Sequence, residues 1–254
     1  MLVTHVSAGT RGRRPDALIV EEPMTIQLDG AIVSTTMRTP GNDYELAVGF
    51  CLTEGLLAGV AVTGVRYCAD EPALSTAFNV VTVETGGRAP VPAARLGTTS
   101  SSCGWCGREQ IDDLLERLSR LPASDPISEC VLAAMPERVL AGQGLFTSTG
   151  AVHAAAAFDR DGNVLRTRED VGRHNAVDKV VGAMHLAGDL PATGHGLFVS
   201  GRASVEMVQK AWAAGFGALV AVSAPTALAV QAARRAGLTL LGFVRTDSYN
   251  VYAP

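Results

Sequence analysis

The stretch Leu197-Phe198-Val199-Ser200-Gly201-Arg202-Ala203-Ser204 and its successor Ala218-Leu219-Val220-Ala221-Val222-Ser223-Ala224-Pro225-Thr226 decide the fold. Each is a short apolar run that ends on small hydroxylated residues. Between them Val205–Ala214 has the length and composition of a helix, and a second helix is expected over Thr226–Ala236. Another apolar run, Leu238–Val244, follows. Short buried strands alternating with helices are the signature of βαβ units, with a parallel or mixed sheet and helices on both faces.

Working outward, Thr149–Asp159 reads as an alanine-rich buried strand turned at Asp161-Gly162, and Asn175–Leu186 as a helix. Towards the N-terminus the pattern changes. Leu18–Val20, Met24–Leu28 and Ala31–Thr36 are strand-like, with a hairpin turn at Asp29-Gly30. Asn42 and Glu45 form a capping-box pattern for a helix reaching about Leu57, and Val65–Cys68 and Phe78–Val83 return to strand. From Gly86 to Gly104 Gly, Pro, Ala, Thr and Ser dominate, which is loop chemistry, and a helix is expected from Arg108 to Leu121. The fold class is therefore α/β. A small β-rich N-terminal domain with one helix (residues 1–96) and a mobile cysteine loop (97–107) precede a larger α/β cofactor-binding domain (108–254).

The 254 residues are 47% hydrophobic and 18% charged, and 21 Lys+Arg face 25 Asp+Glu. A chain of net charge −4 has no global field to recruit nucleic acid or anionic lipid, so any anion must be gripped locally. Ala211–Ala233 carries no charge and is long enough to span a bilayer, but Gly215, Gly217, Ser223, Pro225 and Thr226 interrupt it. It reads as helix end, strand and new helix. No apolar segment follows Arg11, Arg13 and Arg14, so no secretory signal is expected and the cytoplasm is the expected location.

Five cysteines argue against a disulfide scaffold. Cys51 sits in an apolar run and is expected in the core. Only Cys103 and Cys106 are paired, as Cys103-Gly104-Trp105-Cys106-Gly107. Structural zinc needs four ligands, and a second pair is missing, so no metal centre is expected. A zinc nucleobase deaminase also needs His-x-Glu or Cys-x-Glu upstream of the pair; Ser7 follows His5 at that spacing, Thr53 follows Cys51 and Asp70 follows Cys68. Thiol–disulfide exchange and persulfide sulfur carriage both remain. Each wants an accessible thiolate, which a helix start just after the pair would favour.

Three turns offer anion chemistry. Ser200-Gly201-Arg202 and Ser223-Ala224-Pro225-Thr226 join strands to helices, and Phe243-Val244-Arg245-Thr246-Asp247-Ser248 leaves the last expected strand. Such turns gather at the carboxyl edge of a βαβ sheet, where N–H groups and helix dipoles favour anions. Arg168–Lys179 holds seven ionisable residues, among them His174 and Asp178, and is read as a site wall. His153, within an apolar strand, is read as a core histidine.

These motifs together resemble the FdhD family of formate dehydrogenase accessory sulfurtransferases. The likeness lies in Thr39-Pro40 with the helix after it, Ser102–Gly107, Thr149–His153, Arg168–Lys179, Ser200-Gly201-Arg202, Ser223–Thr226 and Leu241-Gly242-Phe243. The resemblance implies a cytoplasmic homodimer whose larger domain is a three-layer unit similar to the cytidine-deaminase fold. It implies that sulfur passes from a cysteine desulfurase to the molybdenum cofactor, bis-molybdopterin guanine dinucleotide, for the formate dehydrogenase apoprotein. Cys103 would carry the persulfide, with Cys106 assisting. The family's cofactor segment falls on Phe243, Val244, Arg245, Thr246, Asp247 and Ser248. Ser200, Gly201, Arg202, Ser223, Thr226 and His174 complete the expected cofactor contacts, and GDP-like nucleotides are the expected mimics. The readings set beside sulfur transfer are a non-catalytic cofactor chaperone and a C-x-x-C oxidoreductase.

Overall fold

The structure is a computed structural model that describes residues 1–68, 78–90, 116 and 118–254. Cys103, Cys106 and the loop bearing them, with most of the helix expected over Arg108–Leu121, lie outside the described residues.

The chain opens with a hairpin, β1 (Leu2–Ser7) and β2 (Thr10–Pro15), that no sequence expectation covered. Nearly all of its residues are exposed, so it has no apolar alternation to announce it. Leu18–Val20 forms no strand. Strands β3 (Glu22–Leu28) and β4 (Ala31–Arg38) form the expected hairpin, with both Asp29 and Gly30 at positive φ. They join β5 (Gly64–Tyr67) and β6 (Val80–Glu84) in a sheet of order β4-β3-β6-β5.

Helix α1 (Asp43–Thr53) covers that sheet and ends four residues before the expected Leu57. Its capping box does not form: Asn42 adopts a left-handed conformation and makes no side-chain cap bond. Glu45 is instead drawn to Arg168, a doubly hydrogen-bonded ion pair with Nη2 to Oε1 at 2.7 Å. Because α1 is wedged between the small sheet and another helix, apolar residues lie on nearly all its sides, and Leu46, Ala47, Val48 and Cys51 are fully buried.

The large sheet has order β12-β11-β10-β9-β7-β8. Strands β9 (Gly196–Val199), β10 (Ala218–Ala221) and β11 (Thr239–Arg245) run parallel. β7 (His153–Phe158) runs against β9 and pairs on its other side with β8 (Val164–Asp170), while β12 (Ser248–Ala253) folds back on β11. The expected strand from Thr149 thus starts at His153, because α3 (Gly144–Thr149) occupies the residues before it. Helix α2 (Glu129–Leu140) was also unforeseen; Pro136 within it speaks against a helix on sequence grounds.

Side chains alternate across the sheet. Ala155, Ala157, Val199 and Leu219 face α4 (Arg173–Ala187), α5 (Val205–Ala214) and α6 (Ala227–Ala236). Ala156, Phe158, Phe198 and Val220 face α2 on the other side. Helix, sheet and helix make three layers. β9 and β10 are buried on both faces, which is why their sequences are uninterrupted apolar runs. The charge-free stretch Ala211–Ala233 divides into the end of α5, β10 and the start of α6. Among the described residues no helix is long and apolar enough to cross a membrane.

The small sheet is held to the large one through α1 and α4, which touch backbone to backbone. A Cβ on Gly49 would overlap the Asp178 carbonyl, and one on Gly182 would overlap that of Glu45. Buried charges flank this contact. Lys210 Nζ lies 2.9 Å from both Asp178 oxygens and 3.1 Å from Glu54, while Lys179 lies 2.7 Å from Asp170. Burial raises the Asp178 carboxyl, with Lys210 opposing; burial alone would lower Lys210, but Asp178 and Glu54 outweigh it and hold the ammonium charged.

Candidate functional site

The candidate site lies where β9, β10 and β11 end. Beyond their last residues β9 and β10 continue as turns, stitched by their backbones to each other and to Phe243 within β11. Ser223 N donates to Gly201 O (3.3 Å), Ala203 N to Ala224 O (3.2 Å), Thr226 N to Ala203 O (3.1 Å) and Phe243 N to Ser223 O (3.2 Å). Ser200, Gly201, Ser223, Thr226 and Phe243 therefore share one rim, as the sequence suggests. The stitching also changes their chemistry. Those N–H groups, with Ser200 N on Ala154 O, are spent within the protein and are not donors for an anion. Thr226 is committed too, since its Oγ1 accepts from Ala229 N as the cap of α6.

Phe243–Ser248 differs most from expectation. It does not leave a last strand but closes the β11–β12 hairpin, with Arg245 opposite Ser248 and Thr246-Asp247 at the turn. Phe243 has a φ of 54° beside a break in register, and its ring is exposed. Val244 is buried in the α2-side core. Arg245 binds backbone carbonyls through Nη1, that of Val222 at 2.7 Å and its neighbour's at 2.8 Å. Arg202 stands exposed on the same rim.

The segment Arg168–Lys179 was expected to wall the site, yet most of its charges turn inward. Asp170 and Lys179 form a buried pair, and Thr39 clamps both: its N–H donates to Asp170 Oδ2, its Oγ1 accepts from Val171 N, and its carbonyl accepts from Lys179. Asn175 donates to Met37 O and Asp170 Oδ1. Through these bonds Thr39 and the Arg168–Lys179 segment form two halves of one joint.

Only the start of α4 faces the rim. His174 Nε2 lies 3.0 Å from Glu206 Oε2, which also accepts from Ser204 Oγ, so the helix starts of α4 and α5 are tied. The His174 hydrogen bond holds the Glu206 carboxyl below its usual range against the opposing effect of burial. Arg173, which no sequence argument singled out, is half-buried, and its Nε is sealed from solvent without a hydrogen-bond partner.

His153 is not the core histidine it was read as. It is half-buried, its Nδ1 is 3.3 Å from Ser200 Oγ, and it lines a cavity of about 470 Å³ between α2, α3 and the rim. Burial lowers its pKa, and the neighbouring charges of Arg173 and His174 lower it further. Phe146, Val152, Phe198 and Leu140 give the cavity apolar walls, and Gln143 and Ser200 add polar groups. A second cavity, of about 520 Å³, lies at the opposite, amino ends of the parallel strands beside Gly194, Gly217 and Gly237.

Sheet order, stitched turns and the cavity beside His153 define a mixed α/β protein with a ligand-sized opening where the parallel strands end. The chain belongs to the FdhD/NarQ family, which it matches over residues 19–254. It is 47% identical to a protein of Mycolicibacterium paratuberculosis named sulfur carrier protein FdhD, over 98% of this chain and 94% of that one. A Streptomyces coelicolor protein of the same name is 45% identical, over 99% of this chain and 92% of its own. A solved structure from Desulfotalea psychrophila, described as a candidate formate dehydrogenase accessory protein, covers all of this chain and 96% of its own with a TM-score of 0.78; at 22% identity it speaks for the fold.

Proposed function

We propose that this chain is a sulfurtransferase that carries sulfur for the maturation of formate dehydrogenase. The observation that carries the reading is the near full-length likeness, at 45–47% identity, to relatives named sulfur carrier proteins. The Cys103-Gly104-Trp105-Cys106 pair supplies the chemistry. The Cys103 thiolate attacks the outer sulfur of a persulfide on a cysteine desulfurase; the donor cysteine leaves as a thiolate and Cys103 keeps the sulfane sulfur. Attack of the Cys106 thiolate on the inner sulfur then releases hydrosulfide and closes a Cys103–Cys106 disulfide, which a cellular thiol reductant reopens. The acceptor is the molybdenum of bis-molybdopterin guanine dinucleotide, held as cargo at the rim formed by the three turns.

The deaminase-like arrangement of the large sheet and a homodimeric assembly belong to the same reading. The parallel core β9-β10-β11 with β7 set against it supports the first.

The test is Cys103→Ala in cells that lack their own copy of the gene. The variant should fold, with an unchanged thermal midpoint, and leave formate dehydrogenase inactive. Full formate dehydrogenase activity with Cys103→Ala would refute the proposal.

A further inference from the structure

We infer that residues 16–21 of one copy of this chain add, antiparallel and reciprocally, to the open edge of the β1–β2 hairpin of a second copy. The inference rests on the reading that the chain is a homodimer, and it assigns that assembly to residues of the N-terminal arm.

The hairpin is the first observation. β1 and β2 form a sheet of their own, and among the described residues no side chain of either strand makes a hydrogen bond or an ion pair with the rest of the chain. A lone two-stranded ribbon is marginal in water and gains stability from a third strand. The edge of β2 is open to one. Met1 and Asp16 exchange both backbone hydrogen bonds, so the antiparallel alternation turns the N–H and C=O groups of Arg11 and Arg13 outward. Leu2 and Val6, each 56% exposed, share a face of the hairpin with those two arginines.

The second observation is the segment that follows. Leu18-Ile19-Val20 has the composition of a strand, yet among the described residues positions 17–21 make no backbone hydrogen bond. Leu18 is 62% exposed and Val20 54%. The segment cannot use the edge of its own hairpin, because it runs straight on from β2 with no turn between. A second copy supplies the same edge without that constraint.

Charge is the third. Residues 1–15 contain Arg11, Arg13 and Arg14 and no Asp or Glu; residues 16–22 contain Asp16, Glu21 and Glu22 and no Lys or Arg. Antiparallel alignment of this stretch with its own copy lays the arginines of each chain along the acids of the other. Parallel alignment would set like charges together. A two-fold axis uses each arm twice, once as edge and once as added strand.

The experiment is sedimentation velocity of the full chain, joined to amide hydrogen exchange. Wild type should sediment as a dimer, with the amides of residues 17–21 protected at high concentration and exposed on dilution. Arg11→Glu with Arg13→Glu, at two exposed side chains, should keep the far-ultraviolet circular dichroism of the fold. It should weaken the dimer about tenfold or more through like-charge juxtaposition, and remove that protection. A wild-type chain that sediments as a monomer overturns the inference together with the homodimer reading, and leaves the basic hairpin to an acidic segment of another protein. A wild-type dimer whose residues 17–21 exchange without protection, or one that the double variant leaves as tight as before, overturns the inference and keeps the homodimer.

Discussion

Gly49 in α1 lies so close to the backbone carbonyl of Asp178 in α4 that no larger residue fits between the two helices. The contact sets the distance between the small sheet and the large one, and it positions α4, whose first turn presents Arg173 and His174 to the rim. Because the obstructing atoms are backbone, the helices can accept a Cβ only by moving apart. Gly49→Ala should cost at least the ~1–3 kcal/mol typical of overpacking. In a chain of this size that lowers the thermal midpoint by several degrees, roughly 2–4 °C per kcal/mol, as differential scanning fluorimetry would show.

Lys210 neutralises two buried carboxylates, Asp178 and Glu54, and also receives support from Thr53. Lys210→Met removes the cation and leaves both carboxylates in the interior. A loss of about 3–5 kcal/mol is expected in urea unfolding, the usual effect of breaking a buried pair. Adding Asp178→Asn should recover part of that loss; a double variant no more stable than Lys210→Met would contradict the assignment.

His153 titrates below its ordinary value of 6.5 because it is buried and faces Arg173 and His174. The sign follows from linkage. With a folded-state pKa below the unfolded one, His153 contributes stability above pH 6.5 that is lost as the pH falls towards the folded value. Imidazole proton resonances should show its midpoint below 6.5, and Arg173→Gln should move that midpoint upward. An unchanged midpoint in the variant would place Arg173 elsewhere.

The alternation of apolar runs and small-residue turns from Leu197 to Val244 was enough to place β9, α5, β10, α6 and β11, because strands buried on both faces leave a continuous signal. Asp29-Gly30 marked a hairpin for the equally local reason that both residues take positive φ. Long-range partners were illegible. Glu45 looked like a capping residue until Arg168, 123 positions away, took it. The charges of Arg168–Lys179 looked like a site wall, and only their partners Thr39, Glu45 and Lys210 show them to be a joint. β12 escaped because the exposed Thr246-Asp247 turn lacks the glycine that marks the other hairpins. Arg173 could be read in the sequence as one more charge beside His174; its missing partner is a property of the fold alone.

The central claim is that Cys103 bears the travelling sulfur. The described cysteines serve as internal controls: Cys51 and Cys68 are buried, with the Cys51 thiol pushed up to about 12 by burial and nearby carboxylates, and Cys130 is exposed. The decisive measurement is peptide mass spectrometry of the reduced chain after incubation with a cysteine desulfurase and free cysteine. The account predicts an adduct of about 32 Da, one sulfur on a reactive thiolate, on the peptide containing Cys103. An adduct confined to Cys130, or none on any peptide, would contradict it.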